Sequence, residues 1–365
     1  MTYKKFLMED VLDALIDYRG KTPKKSESGI LTLSAKSVKN NFIDYSLAYY
    51  ISKEEYKRFM VRGFPKKGDI LLTTEAPLGN VARLDRSDVA VAQRLLTLRG
   101  KKGVLDNDYL LYYLQSKYGQ FLLKSKETGT TVTGIKQAEF RKIELLLPPI
   151  EEQQRVARVI KTVDTKLSLN TKIRNNIFEQ MLIQFKKLIS TKTNNGSFSD
   201  LIVENPKSKV QVGSAKESNG TYPFFTSGKS ILKYDNYFVD GSNVFLNTGG
   251  NADVKYYVGK AAYSTDTWCI TAKNKYNHFL FLYLFSIVDE INAICFEGSA
   301  LKHLQKSKLK EREIYIPSEE EIKEFNGIID SQMRLYFDKE KENVVLSSIR
   351  DSLILKLIDS QLTDR

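Results

Sequence analysis

Leu145-Leu146-Leu147-Pro148-Pro149-Ile150-Glu151-Glu152-Gln153-Gln154-Arg155-Val156 decides the fold of this chain. Proline ends a short apolar strand, an acidic run follows, and a long helical pattern begins. From Glu151 to Ile189 the pattern holds no proline or glycine, and Val156, Ile160, Val163, Leu167, Ile177, Met181 and Leu188 mark its apolar face. That four-three spacing is a coiled-coil seam. The acidic start and the Lys186-Lys187 end suit the helix dipole.

Working outward, the same arrangement returns 169 residues later. Gly129-Thr130-Thr131, Ile135, Phe140, Leu145, Leu147 and Pro148 correspond to Gly298-Ser299-Ala300, Leu304, Leu309, Ile314, Ile316 and Pro317. Glu319-Glu320-Glu321 then opens a second seam through Phe325, Ile329, Tyr336, Leu346, Leu353 and Leu357, with Gly327 a small local cost. Both seams are broken by polar residues, Asn170 and Arg174 in the first, Lys339 and Asn343 in the second. In an antiparallel pair these four either meet in one layer that fixes register or lie exposed at the edge of an imperfect seam.

The rest of each half has drifted further. Residues 1 to about 100 alternate short β-like runs, Ile30-Leu33, Asp69-Thr74 and Val89-Leu98, with turns such as Pro77-Leu78-Gly79-Asn80. Leu72-Thr73-Thr74 faces Leu246-Asn247-Thr248, where the offset has moved to 174. Asn107 to Lys126 has the length of one helix, matched by His278 to Ala293. The reading is an α+β chain: two pseudo-symmetric globular α/β domains, 1–150 and 191–317, separated by two long antiparallel coiled-coil helices, 151–190 and 318–362.

The 365 residues suffice for two cores, and 42% hydrophobic with 27% charged content is that of a globular protein. A net charge of +12 makes a polyanion the first partner to consider. Two cysteines, Cys269 and Cys295, argue against a disulfide scaffold. Met1 to Glu9 is polar, so secretion is not expected, and the most apolar run, Phe279 to Val288, is too short to span a membrane. A cytoplasmic protein with no membrane partner is the expectation.

Motifs for chemistry are missing. Gly228-Lys229-Ser230 ends like a phosphate loop, yet Pro223 stands where that loop needs glycine. Asn205-Pro206-Lys207-Ser208 lacks the second proline and the aromatic with which amino-methyltransferases hold a flipped adenine. Glu321-Ile322-Lys323 lies on the predicted coiled coil, and His278 and His303 do not suggest a zinc site. No catalytic residue, metal or cofactor is expected in this chain.

At this point the residues resemble a known family, the specificity (S) subunits of type I restriction-modification enzymes. Leu145 to Val156 is similar to the strand, double proline and Glu-Gln helix start that close the family's first recognition domain. Thr128 to Ile135 resembles its glycine-threonine loop, and Gly68 to Thr74 its Gly-Asp-aliphatic strand. The second copy departs from the pattern, since Ile316-Pro317-Ser318-Glu319 lacks the second proline and the Glu-Gln pair. Tyr222 to Gly228 and Ser264 to Trp268 look like recurrent recognition-domain strands.

The resemblance implies a non-catalytic subunit that reads a bipartite, asymmetric target in double-stranded DNA, one half-site per recognition domain. It implies that the helices are a spacer and dock two modification subunits, which carry S-adenosylmethionine and methylate adenine, and that restriction subunits join that core. As a spacer, 39 helical residues span ~58 Å, an upper limit near ~17 base pairs.

The candidate DNA-binding residues are polar side chains on loops that the β-pattern leaves exposed. They are Arg19, Lys21, Lys36, Thr74, Glu75, Asn80, Gln93 and Arg94 in the first domain, and Ser227, Lys229, Asn247, Asn251, Thr265, Asp266, Lys302 and His303 in the second. Two other readings stay open on the residues alone: a free-standing two-headed DNA-binding protein without a methyltransferase partner, and a nuclease or methyltransferase with unrecognised motifs.

Overall fold

The computed structural model describes residues 3–18, 20–129, 133–298 and 301–360. The chain divides into two compact units, the first made of residues up to Leu169 together with those from Glu342 on, the second of Asn170–Lys341.

The first unit is built on an antiparallel sheet in the order Leu12–Asp17, Leu95–Gly100, Ile70–Thr74, Leu78–Arg83. Strand Ile70–Thr74 is buried on both faces, and its period of two sorts it between two cores. Ile70 and Leu72 join the aromatic and leucine side chains of helix Asn107–Gln115, whereas Leu71 joins Leu33, Val89 and Val91 of a second sheet. That second sheet runs Lys25–Ser26, Tyr49–Ile51, Ile30–Leu33, Val89–Val91, the last pair parallel.

The second unit repeats this topology. Its first sheet is ordered Ile202–Glu204, Thr267–Ala272, Ser242–Asn247, Val254–Val258, and its second Ile231–Tyr234, Tyr222–Phe225, Ala262–Tyr263, again with the last pair parallel. Val244 and Leu246 face the helix core, and Phe245 faces the other sheet, stacked 4.0 Å from Phe225. Two short antiparallel pairs also recur: Lys4–Leu7 with Glu144–Leu147 matches Gly196–Ser197 with Glu313–Ile314, and Glu127–Thr128 with Gly134–Ile135 matches Phe296–Glu297 with His303–Leu304. Edge strand Lys25–Ser26 has no counterpart among the described residues of the second unit.

One expected helix is two. Asn107 to Lys126 breaks at Ser116, whose extended backbone (φ −64°, ψ 159°) ends helix Asn107–Gln115 and caps helix Lys117–Ser125 by accepting the Gly119 amide at 3.0 Å. Glycine is required at 119, where a Cβ would come within 1.9 Å of the Tyr113 carbonyl. The apolar run Asn277–Ser286 is a helix with Phe279 to Leu284 buried, followed by the bent Val288–Cys295 segment. Among the described residues no single helix is long and apolar enough to cross a membrane.

The long helices are Ile150–Ile189 and Glu319–Ile354, the latter continued by a wider turn, Leu355–Asp359. Gln153, 1% exposed, fixes the first one: its amide nitrogen donates to the Val104 and Pro148 carbonyls, both at 2.9 Å, and its oxygen accepts the Asp106 amide at 3.0 Å. The second helix lacks this glutamine and starts with a capping box instead. Ser318 Oγ accepts the Glu321 amide at 3.2 Å while Glu321 accepts the Ser318 amide at 2.9 Å. Glu321 thus has a structural task, and Lys192, Tyr315 and Ser318 hold its carboxyl down at about 2.

Within each unit the helical pieces run antiparallel. Asp164 and Lys166 meet Arg350 and Glu342 in the first unit, and Arg174 and Phe178 meet Glu340 and Tyr336 in the second. Of the four seam-breaking residues, Asn170 is fully buried, whereas Arg174, Lys339 and Asn343 are half-buried. Arg174 lies 4.5 Å over the Tyr336 ring and pairs with Glu340 at 3.4 Å.

Candidate nucleic-acid interface

In the first unit, the end of strand Ile70–Thr74 gathers three loops. The Thr74 amide donates to the Arg94 carbonyl at 3.0 Å, and Glu75 bridges Gly134 just past the glycine-threonine loop. The approach is tight, since a Cβ on Gly134 would lie 2.7 Å from the Thr74 carbonyl oxygen. Arg94 has a left-handed backbone, φ 68°, and its Nε meets Glu75 Oε1 at 2.5 Å. The Arg94 side chain is 48% exposed and that of Glu75 20%. Gln93 is half-buried beside them in the same turn.

The second unit builds the same junction with other side chains. The Thr248 amide donates to the Asp266 carbonyl at 2.9 Å, and Gly249 bridges His303. Gly250 donates to the Lys302 carbonyl at 2.9 Å, and Leu304 to the Thr248 carbonyl at 3.0 Å. Asn251, Asp266, Lys302 and His303 are exposed.

Three candidates belong to the scaffold. Asn247, 2% exposed, spends its side chain on its own loop, donating to the Gly249 carbonyl at 2.9 Å and to the Asn251 carbonyl and accepting the Asp253 amide at 2.7 Å. Asn80 donates to the Val38 carbonyl at 3.0 Å, and Thr74 is 5% exposed in the strand. Each satisfies backbone groups or packing that would otherwise be orphaned at a strand end. Thr74 and Asn247 are buried and Asn80 is half-buried, which corrects the expectation that they stand exposed.

The remaining candidates are spread wider. Lys21 and Lys36 are exposed, Lys36 on the loop after strand Ile30–Leu33. Ser227 and exposed Lys229 lie on a turn that Thr226 organises by donating to the Ser230 carbonyl at 2.9 Å. Strand Ile231–Tyr234 follows, whereas a phosphate loop leads into a helix. Thr265 is half-buried, its amide bound to the Val210 carbonyl at 2.9 Å. Arg19 lies outside the described residues, as do 130–132 and 299–300 of the two glycine loops.

The other chemistry-bearing side chains are structural. Asn205 donates to Asn243 Oδ1 at 2.9 Å and to Cys269 Sγ at 3.3 Å, and burial pushes the Cys269 thiol up to about 12. His278 is set between the Tyr256 hydroxyl at 3.2 Å and the Asp330 carboxylate at 3.1 Å. Among the described residues no group of three His, Cys, Asp or Glu side chains could hold a metal. Glu75 and Arg94 are separate candidates in the sequence; that they pair, and that Asp266 occupies the place of Arg94, only the fold reveals.

The sequence model of the family described as "Type I restriction modification DNA specificity domain" matches residues 2–179 and again 196–343. The specificity subunit of the type I restriction enzyme MjaIX of Methanocaldococcus jannaschii is 25% identical over 358 residues, covering 86% of this chain and 81% of its own length. A putative MjaX specificity subunit from the same organism is 27% identical over 109 residues, covering 30% of this chain and 25% of its own. The crystal structure of a type I restriction-modification S subunit from M. genitalium shares the fold, with a TM-score of 0.60 at 16% identity over 98% of this chain and 96% of that one.

Proposed function

The chain belongs to the type I restriction modification DNA specificity family, with two target recognition domains, and from that membership we propose that it reads a bipartite, asymmetric target in double-stranded DNA. Each recognition domain takes one half-site, presenting side chains to base edges in the major groove. The observation that carries this reading is the repeated junction: one hydrogen-bonded scaffold, Thr74 to Arg94 and Thr248 to Asp266, displays different side chains in the two units. Two heads alike in backbone and unlike in side chain suit two unlike half-sites.

In this reading the long helices dock the methyltransferase subunits, two per chain, and restriction subunits join them. Exposed apolar side chains on the helices support a partner there, among them Val344 at 68% and Ile183 at 62% exposure. Methylation of adenine belongs to those partners, which hold the S-adenosylmethionine, and this chain contributes recognition without catalysis. The assembly works in the cytoplasm, and the net charge of +12 supports the affinity for DNA.

The spacer idea is tested by inserting one heptad into each long helix, in register with its seam. Mapping of methylated adenines in a host carrying the complete complex is expected to show a longer unread gap between two unchanged half-sites. An altered half-site with the same gap overturns the reading.

A further inference from the structure

Arg94 and Asp266 occupy one position of the repeated scaffold. Each offers its carbonyl to the amide that follows the equivalent strand, Thr74 at 3.0 Å and Thr248 at 2.9 Å, and each immediately precedes the strand, Leu95–Gly100 or Thr267–Ala272, that pairs with it. In both units the backbone is fixed and the side chain is exposed. The charge is reversed between them. We propose that this position determines one base in each half-site: Arg94 selects a guanine, and Asp266 selects a base with an exocyclic amine in the major groove, cytosine or adenine.

The first assignment rests on the backbone and on Glu75. At φ 68° a glycine or asparagine would be accommodated most cheaply, so an arginine there serves through its side chain. Glu75 Oε1 lies 2.5 Å from the Arg94 Nε and its side chain is mostly covered, which anchors the guanidinium at the junction while the arginine side chain stays 48% exposed. Two parallel donors match guanine O6 and N7, both acceptors, whereas adenine sets an N6 donor beside N7. Glu75 is thus a positioning residue.

The second assignment rests on an unclaimed acceptor. Among the described residues no side chain or backbone group engages the Asp266 carboxylate, which stands exposed where its neighbours Asn247 and Thr267 are turned inward. A lone carboxylate repels phosphate and the acceptor-rich edge of guanine, and accepts from cytosine N4 or adenine N6.

This inference rests on the reading of the chain as a target-recognition subunit. The full chain is co-expressed with its modification subunits, and the methylated motif is mapped for the wild type and for R94Q, R94K, E75Q and D266N. R94Q and R94K are expected to make one guanine of the first half-site degenerate, with discrimination reduced on the order of tenfold to a hundredfold and the second half-site unchanged. D266N relaxes one position of the second half-site alone, and the wild-type base there, cytosine or adenine, is read directly. E75Q weakens the preference at the Arg94 position without changing the base.

Motifs that keep every position in R94Q or D266N overturn the proposal. So does a uniform loss across sequences, the mark of a phosphate contact. A variant complex that methylates nothing is scored for the same outcomes by selection of bound duplexes from a randomised pool. Failure of the underlying reading looks different, because the wild-type complex then yields no motif that depends on this chain.

Discussion

The two recognition domains have one topology but hold their helical pieces with different chemistry. In the first unit polar ties add to the buried aliphatic side chains Val156, Ile160, Ile354 and Ile358. Tyr112 donates to Asp164 at 2.8 Å, Lys161 reaches Asp108 at 2.6 Å, and the Asp359 carboxylate accepts the Lys117 and Tyr118 amides at 3.1 and 2.9 Å. In the second unit aromatic rings fill the seat, with the His278–Asp330 pair at 3.1 Å beside them: Phe178 meets Phe285 edge-on at 4.5 Å, Phe185 lies 5.3 Å from Phe279, and Phe279 lies 6.5 Å from Phe325. The fold is therefore specified by strand order, register and the burial pattern, while the chemistry at the helix seat is free to change. Volume and patterning suffice to fix topology, and particular contacts set how strongly it is held.

The comparison is broken most forcefully at the aromatic seat. Phe279 is fully buried between Phe185, Tyr283 and Phe325, so Phe279→Ala is expected to destabilise the second unit by about 3–5 kcal/mol. The chain has a single tryptophan, and Trp268 sits in that core at 2% exposure, which makes its fluorescence a local reporter. Urea unfolding followed at Trp268 should show a large fall in midpoint, and an unchanged midpoint would mean that the aromatic cluster does not hold the unit.

The polar seat is probed at Asp359, a smaller effect. Its carboxylate serves as a cap for helix Lys117–Ser125, and removing such a cap costs about 1–2 kcal/mol. Asp359→Ala is expected to speed amide exchange in that helix by roughly tenfold while leaving the Trp268 midpoint in place. Equal loosening of both units would show that the two seats are not separate devices.

The same contrast separates what the sequence discloses from what it hides. The 169-residue echo, the proline-bounded strand and the two long helices are carried by local periodicity, and all of them are present in the fold. The break at Ser116 was hidden, because an apolar run continues across it and the decisive contacts are a hydroxyl on the Gly119 amide and a backbone approach that excludes a Cβ. At the interface, a polar residue at a strand end either faces water or feeds the backbone groups of its own turn, and the residue type does not distinguish these. Asn247 and Asn80 do the latter, whereas Asp266 and Arg94 remain exposed. The Glu75–Arg94 pair lies beyond pattern reading altogether, since only the sheet brings those turns together.

The finest separation of the two units is by pH, and it falls on His278. Burial lowers its proton affinity, and the nearby Asp330 carboxylate opposes that effect without cancelling it. A neutral ring can satisfy both partners at once, since the tautomer with its proton on Nε2 offers a donor to Asp330 and leaves Nδ1 as an acceptor for the Tyr256 hydroxyl. A histidine in the unfolded chain takes up its proton near pH ~6.5, and the folded one only at lower pH. Between those values the unfolded state binds more protons, so stability present above pH ~6.5 is lost as pH falls toward the folded value. The Trp268 midpoint is therefore expected to decline between pH ~7.5 and ~5.5, with a flatter decline in His278→Gln. The other histidine, His303, is exposed on its loop and outside this core. A slope that survives His278→Gln intact would place the pH sensitivity on carboxylates and remove histidine from the second seat.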